Sequence, residues 1–98
     1  MPVKITTIQV RPNVNVPFPS ASMFGEDGEK YNRRTWDGLL DSTKEVSADG
    51  LTMRSLEIWR DGYPNYENLT ADQKRVSEKF IKYIADNNII VSKTVEQI

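Results

Sequence analysis

The sequence predicts an α+β fold in which one helix packs on one face of a small, mainly antiparallel sheet. A hairpin signal at Asp49-Gly50 divides a strand-like stretch, and a capped stretch with helical apolar spacing follows it. After that helix, Ile89, Val91 and Val95 alternate with other residues in a pattern typical of a strand. The expected order is strand, loop, hairpin, helix and strand, in a single domain that spans residues 1–98.

The N-terminal residues, about 3–24, are predicted to form an extended strand or arm. Their apolar positions change parity between Ile5 and Ile8, which fits a bulge or a twist at the intervening pair of threonines. Pro12 has no N–H to donate to a neighbouring strand. The part of the segment that follows Pro12 is therefore expected to be an edge strand or an arm.

Residues from about 36 to 60 are predicted to form a hairpin with Asp49 and Gly50 as its two-residue loop. In this register Glu45 lies opposite Arg54 on one face of the hairpin. The apolar residues of the other face are Leu40, Val46, Met53 and Trp59.

A helix is predicted from about residue 71 to residue 86. Thr70 and Gln73 match a capping box, in which each side chain accepts a hydrogen bond from the backbone N–H of the other residue. The apolar residues that recur at helical spacing are Val76, Phe80, Tyr83 and Ile84. We expect this apolar stripe to pack on the apolar face of the hairpin.

The composition excludes several classes of chemistry. The chain contains neither His nor Cys, so the common nucleophile–base pairs and transition-metal sites are absent. Charged residues make up 28% of the chain but nearly cancel to a net charge of −1. This balance argues against nucleic acid or an anionic membrane as the main partner. We therefore expect a protein that is not an enzyme, with no catalytic residue, no metal site and no cofactor.

Two acidic clusters are candidate sites. Glu26-Asp27-Gly28-Glu29 places three carboxylates within residues 20–34, which show no periodicity and are predicted to be a loop. The loop lacks the ligand spacing of an EF-hand, so a solvated turn is the preferred interpretation, and a hard-cation site stays open. Asp37 and Asp41 are expected to lie about 13 Å apart on a strand, too far for the carboxylate pair of a glycosidase.

Lys30, Arg33 and Arg34, beside Tyr31 and Trp36, form a basic and aromatic cluster. Stacking aromatic rings beside cations are the minimum requirement for binding single-stranded nucleic acid. The neighbouring carboxylates offset the positive charge, so a mixed-charge protein contact or a loop anchor is the preferred interpretation.

Two stretches carry a resemblance to known proteins. They are Val10-Arg11-Pro12-Asn13-Val14-Asn15-Val16-Pro17-Phe18, and Leu40 through Ser47-Ala48-Asp49-Gly50-Leu51-Thr52. Together they resemble small virion structural proteins of tailed bacteriophages, especially marine myoviruses, in which an extended Arg-Pro-Asn segment precedes a hairpin with a similar turn. The resemblance implies a minor capsid, neck or tail component, made in the host cytoplasm and located in the virion.

The predicted function is that of a non-enzymatic structural or adaptor protein that binds other virion proteins or copies of itself. An uncharged extended segment whose prolines restrict it when free is suited to pairing with a neighbouring subunit. The predicted partner-binding residues are Val14, Val16, Phe18, Met23 and Phe24.

Two alternatives from other classes remain open. The first is a ferredoxin-like dimeric domain that binds a small molecule between helix and sheet, or acts there as a cofactor-free enzyme. Trp36, Trp59, Tyr63 and Tyr66 are the aromatic residues that such a pocket would use. The second is a nucleic-acid accessory protein that relies on Arg33 and Arg34.

Overall fold

Four antiparallel strands form one sheet in the computed structural model, which describes residues 1–98. The strands are β1 (Val3–Val10), β2 (Leu39–Val46), β3 (Thr52–Trp59) and β4 (Ile90–Gln97). Their order across the sheet is β2-β3-β1-β4, so the N-terminal strand pairs with β3 on one side and with β4 on the other. The predicted α+β class with a mainly antiparallel sheet is confirmed.

Two helices lie on one face of the sheet. They are α1 (Gly25–Tyr31) and α2 (Ala71–Asp86), and the bounds predicted for the longer helix are confirmed. The capping box forms, since Gln73 N donates to Thr70 Oγ1 at 3.2 Å and Thr70 N donates to Gln73 Oε1 at 2.9 Å. The buried apolar core contains Ile5, Met53, Trp59, Val76 and Ile89.

The hairpin keeps the predicted register near its turn and loses it at its far end. Val46 pairs with Met53 as predicted, but a bulge between Leu39 and Asp41 makes Leu39, not Leu40, the partner of Trp59. The prediction that Leu40 and Val46 belong to the core is wrong, because they are 57% and 53% exposed. Both residues lie on β2, the edge strand farthest from β1.

The turn of the hairpin is longer than the predicted two residues. Ser47 N donates to the carbonyl of Thr52 at 2.9 Å, so four residues lie between this closing pair. Gly50 has a φ of +75°, which glycine adopts without steric cost. The Ser47 hydroxyl and then the Leu51 amide donate to the carboxylate of Asp49 and hold the pKa of that side chain below its usual value.

The N-terminal strand occupies the middle of the sheet, and its pairing is continuous through Thr6 and Thr7. The change of parity in its apolar residues therefore does not reflect a bulge. Ile5 points towards the helices, whereas Ile8 points to the opposite, open face of the sheet. The strand ends at Val10, before Pro12.

Residues 20–34 were predicted to be a loop, and this prediction is wrong. They contain a 3-10 turn at Ala21–Phe24, the helix α1, and the start of a second 3-10 turn at Arg33–Thr35. Gly28 permits the close packing of α1, because a Cβ at this position would lie 2.3 Å from the carbonyl oxygen of Ala21. A helix of seven residues, two of them glycine, has too few turns to display a helical apolar stripe.

No helix of the chain combines the length and the apolar content needed to cross a bilayer.

We predict that Ile5→Ala lowers the free energy of unfolding by about 2–5 kcal/mol, since its side chain is 0% exposed and truncation leaves a cavity. Ile8→Ala is the matched control on the same strand, with a side chain that is 36% exposed on the other face. Its expected cost is about 1 kcal/mol or less. Urea titrations of both variants measure the difference, and equal costs would contradict the assignment of the two faces.

Candidate functional site

A cavity of about 430 Å³ lies between the sheet and the helices. Its sheet side is polar, and β1 and β3 contribute Thr7, Gln9, Ser55 and Glu57 to it. Its helix side is largely apolar, and α2 contributes Val76, Phe80, Ile81 and Ile84. The volume falls within the range of roughly 300–1,000 Å³ that is usual for small-molecule sites.

A partly buried ion pair joins Arg33 to Glu57 in the wall of the cavity. Arg33 Nε lies 2.8 Å from Glu57 Oε1 and 2.9 Å from Oε2, so one N–H is shared by both carboxylate oxygens. The indole N–H of Trp59 also donates to Glu57 Oε1 at 3.2 Å. Glu57 is 9% exposed, and without these donors a carboxylate at this depth would be costly.

Three aromatic rings surround the guanidinium of Arg33. Its Cζ lies 5.2 Å from the ring centroid of Trp59, 5.5 Å from that of Trp36 and 5.9 Å from that of Tyr63. The two indole rings lie 6.3 Å apart and tilted by 47°. Cation–π attraction and the bond to Glu57 thus hold the guanidinium from two directions.

Two buried polar atoms have no hydrogen-bond partner in the protein. They are Nη2 of Arg33, a donor, and Oε1 of Gln9, an acceptor, and both side chains line the cavity. Most buried polar atoms in folded proteins are paired, because an unpaired one costs roughly 1–3 kcal/mol. This donor and this acceptor belong to side chains that line the same cavity, so they are the candidate groups for holding a polar ligand there.

The cavity is cationic although the whole chain carries a net charge of −1. Its charged lining residues are Arg33, Arg34, Lys44, Lys93 and Glu57. Glu57 is paired with Arg33, whereas the remaining three cations take part in no ion pair of the structure. The lining therefore favours a ligand with negative charge.

Tyr66 lies at the same cavity and is held by α2. Its hydroxyl donates to Glu78 Oε1 at 2.7 Å. This hydrogen bond, followed by burial and by the negative charge of Glu78, raises the pKa of the Tyr66 phenol above its ordinary value of 10.0. At neutral pH the phenol is protonated, so it acts as a hydrogen-bond donor and not as a base.

The five predicted partner-binding residues differ in their contacts and exposure. The rings of Phe24 and Phe80 lie 4.7 Å apart, and Phe18 lies beneath the guanidinium of Arg11 at 4.5 Å. Val16 is half-buried, whereas Val14 and Met23 are exposed. The segment between β1 and α1 is tied back to the domain, since Tyr83 Oη donates to the carbonyl of Pro17 at 2.6 Å. A role of these five residues in binding a partner stays a prediction.

The candidate acidic clusters lie outside the cavity. Asp27 forms an ion pair with Arg75 at 2.7 Å, and Asp37 lies 3.3 Å from Arg60. No three His, Cys, Asp or Glu side chains of the chain are grouped closely enough to hold a metal ion.

Only some residues of the basic and aromatic cluster line the cavity. Arg33, Arg34 and Trp36 line the cavity, whereas Lys30 and Tyr31 do not. Sequence reasoning missed Gln9 and Glu57 as site residues. The signal that could have found them is a run of polar side chains at the core-facing positions of strands, where apolar residues are normal.

The sequence matches no protein-family model and no curated protein. The structure is similar to that of SnoaB, a cofactor-independent oxygenase from Streptomyces nogalater, with a TM-score of 0.56 and 11% identity over 99% of this chain and 92% of that one. It is also similar to a protein from Shewanella loihica PV-4 that is provisionally described as a monooxygenase, with a TM-score of 0.53 and 13% identity over 99% and 93% of the two chains. Rv0793 from Mycobacterium tuberculosis gives a TM-score of 0.53 and 19% identity over 100% and 95%. At these identities the likeness shows a shared fold.

These comparisons correct the resemblance to virion proteins of tailed bacteriophages. The fold covers almost all of each chain and is shared with an oxygenase, and none of the three proteins is described as a virion component. The interpretation as a non-enzymatic structural or adaptor subunit located in the virion is therefore wrong. Turn and strand residues carried the resemblance, and such residues recur in unrelated hairpins.

We predict that the Tyr66 phenol in the folded protein titrates above pH 10.0. The Tyr66–Glu78 hydrogen bond then stabilises the fold fully at pH values below the pKa of Tyr66 in the unfolded protein. This stabilisation is lost as the pH rises through the higher pKa of Tyr66 in the folded protein. Glu78→Ala should return the pKa towards the ordinary value, whereas Lys79→Ala, an exposed neighbour on α2, should leave it unchanged. Absorbance titration of each protein against its Tyr66→Phe counterpart measures this, and identical curves would refute the contact.

Proposed function

We propose that this chain is a cofactor-independent oxygenase that binds a small aromatic substrate in the cavity between the sheet and the helices. The observation that carries the proposal is the partly buried Arg33–Glu57 pair in the wall of a ligand-sized cavity, whose lining side chains include an unpaired donor and an unpaired acceptor. The shared fold with SnoaB, described as a cofactor-independent oxygenase, supports this reaction class.

Without a cofactor, the substrate itself must supply the electrons that reduce O₂. A carbon acid meets this requirement, because loss of a proton to solvent water gives an anion that can transfer an electron to O₂ and then combine with it. At an acidic methylene, the resulting hydroperoxide loses water to give a ketone. The carbon loses four electrons, O₂ gains four, one oxygen atom stays in the ketone, and the other leaves as water.

Arg33 is the residue best placed to assist this reaction. Its Nη2 can donate to the oxygen on which negative charge develops when the substrate loses its proton. Glu57 and the rings of Trp36 and Trp59 act as positioning groups, because they fix the guanidinium before the substrate arrives. The cations that line the cavity also lower the pKa of a bound carbon acid, since they favour its anion.

We predict that the purified protein, treated with chelator and free of flavin absorbance, accelerates O₂ uptake with cyclic ketones that have an acidic methylene next to an aromatic ring. An oxygen electrode measures uptake, and mass spectrometry measures one oxygen atom incorporated from ¹⁸O₂. Ser55→Phe, which fills the cavity from β3, should abolish the acceleration. Lys79→Phe, which adds the same ring at an exposed position of α2 outside the cavity, is the control and should retain it. Acceleration that survives in Ser55→Phe would refute the site.

We also propose that copies of the chain associate through the open face of the sheet. Its apolar residues are Ile8, Val10 and Ile90, which are exposed, and Leu56 and Ile58, which are half-buried. This face carries both positive and negative charges, in the ion pairs Lys4–Glu96 and Arg54–Glu45. A second copy can therefore pack on it without net repulsion between like charges. Sheets that pack face to face in this way bury their apolar side chains.

Leu56→Glu is expected to convert a dimer into a monomer, because it buries an unpaired charge at the apolar centre of this face. Met23→Glu introduces the same charge on the predicted partner-binding segment and should leave the dimer intact. Sedimentation equilibrium over a range of protein concentrations measures both. Dissociation of Met23→Glu alone would assign the interface to the N-terminal segment instead.

A further inference from the structure

Side chains cap the C-terminal end of α1. The last four carbonyls of an α-helix have no backbone partner within the helix. In α1 each of these four accepts a hydrogen bond from a side chain: Gly28 O and Glu29 O from Asn32 Nδ2 at 2.8 and 2.9 Å, Lys30 O from the Thr35 hydroxyl at 3.1 Å, and Tyr31 O from Trp36 Nε1 at 3.0 Å. All the donors belong to residues 32–36, so the end of α1 is joined to the 3-10 turn that carries Arg33.

Asn32 uses every polar atom of its side chain in this junction. Its Nδ2 donates to the two carbonyls of α1, and its Oδ1 accepts from the backbone N–H of Arg34 at 3.0 Å. The residue is 9% exposed, and an amide is the side chain that supplies both donors and an acceptor from one short stem. A single buried side chain therefore fixes the backbone immediately before and immediately after Arg33.

The same junction holds one of the rings beside the guanidinium. Trp36, whose ring centroid lies 5.5 Å from Arg33 Cζ, is the residue whose indole N–H donates to Tyr31 O. An arginine side chain has a long flexible stem, so its head is precisely placed only when its backbone origin and its far contacts are both fixed. Glu57 fixes the far end, and the junction at Asn32 fixes the origin.

We infer that Asn32 is a positioning residue that acts through Arg33, by fixing the turn from which the guanidinium reaches Glu57 and the cavity. The inference rests on the proposed function for the reaction that Arg33 assists. The placement of Arg33, however, is measured without any substrate. The competing interpretation is that Asn32 only stabilises α1, as any helix cap does, and a second capping asparagine separates the two.

That second asparagine is Asn87, at the end of α2. Its Nδ2 donates to the carbonyl of Tyr83 at 2.9 Å, which is the same type of bond at the end of another helix, and Asn87 lies outside the cavity. Asn87→Ala is therefore the matched control, because it removes a helix cap without touching the turn that carries Arg33.

Exchange of the Arg33 Nε–H with solvent, measured by NMR, tests the placement. The signal is assigned by its loss in Arg33→Lys. In Asn32→Ala the exchange should be about tenfold faster than in the wild-type protein, because the Arg33–Glu57 hydrogen bonds open more often. In Asn87→Ala the rate should be unchanged. Equal rates in Asn32→Ala and the wild-type protein, or equal acceleration in both alanine variants, would overturn the inference.

Asn32→Ser is the milder variant, and it decides the question if Asn32→Ala does not fold. The serine hydroxyl keeps an acceptor for the N–H of Arg34 but lacks the second donor that the amide supplies to α1. The expected acceleration of Arg33 Nε–H exchange is about threefold. An unchanged rate in folded Asn32→Ser would overturn the inference.

O₂ uptake measured on the same variants connects the placement of Arg33 to the proposed reaction. Asn32→Ala should lower kcat about tenfold and leave KM unchanged, because the guanidinium stabilises charge that develops only in the transition state. Asn87→Ala should retain both values. A fall in kcat without faster Arg33 exchange, or a rise in KM alone, would overturn the inference. If the wild-type protein shows no O₂ uptake with any substrate, the proposed function fails, and the exchange rates alone decide whether Asn32 positions Arg33.

Discussion

The buried carboxylate of Glu57 is the constraint on which the rest of the site depends. It lies on β3, a central strand, where an apolar side chain would be the ordinary choice. Once it is there, it needs charged and polar donors within reach, and Arg33 and Trp59 supply them. Removing one partner of such a pair leaves an uncompensated buried charge, which is far more costly than never having had the pair.

The need to solvate or pair the Glu57 carboxylate also explains why a cavity lies between the sheet and the helices. Towards the two ends of β3, the apolar residues Met53 and Trp59 are buried between the sheet and the helices. Ser55 and Glu57, which lie between them on the strand, are polar. The apolar stripe of α2 cannot pack favourably on these polar residues, because burying them against apolar atoms without partners costs free energy. A cavity remains over the middle of the strand.

Much of the fold could be predicted from local chemistry, but the site could not. The capping box at Thr70 and Gln73 fixes the start of α2, and the turn residues fix the hairpin register near Val46 and Met53. The far end of the hairpin could not be predicted in this way. A bulge there makes Leu39, and not Leu40, the partner of Trp59, and no local sequence signal marks the bulge. The pairing of Arg33 with Glu57 joins residues far apart in sequence, and only the packing of the 3-10 turn on the sheet brings them together.

The absence of His and Cys does not by itself exclude enzymatic activity, and the physical reason is specific. Those residues are needed where the protein supplies a nucleophile, a metal site or a base poised near neutral pH. Oxygenation of a carbon acid makes a smaller demand, because the substrate supplies the electrons and the protein need only stabilise its anion. In the proposed reaction a guanidinium fixed in advance does that, since donors already held in place stabilise developing charge without having to reorganise. Arg33, held by Glu57 and flanked by aromatic rings, is the residue to which the proposed reaction assigns this task, and it is neither a His nor a Cys.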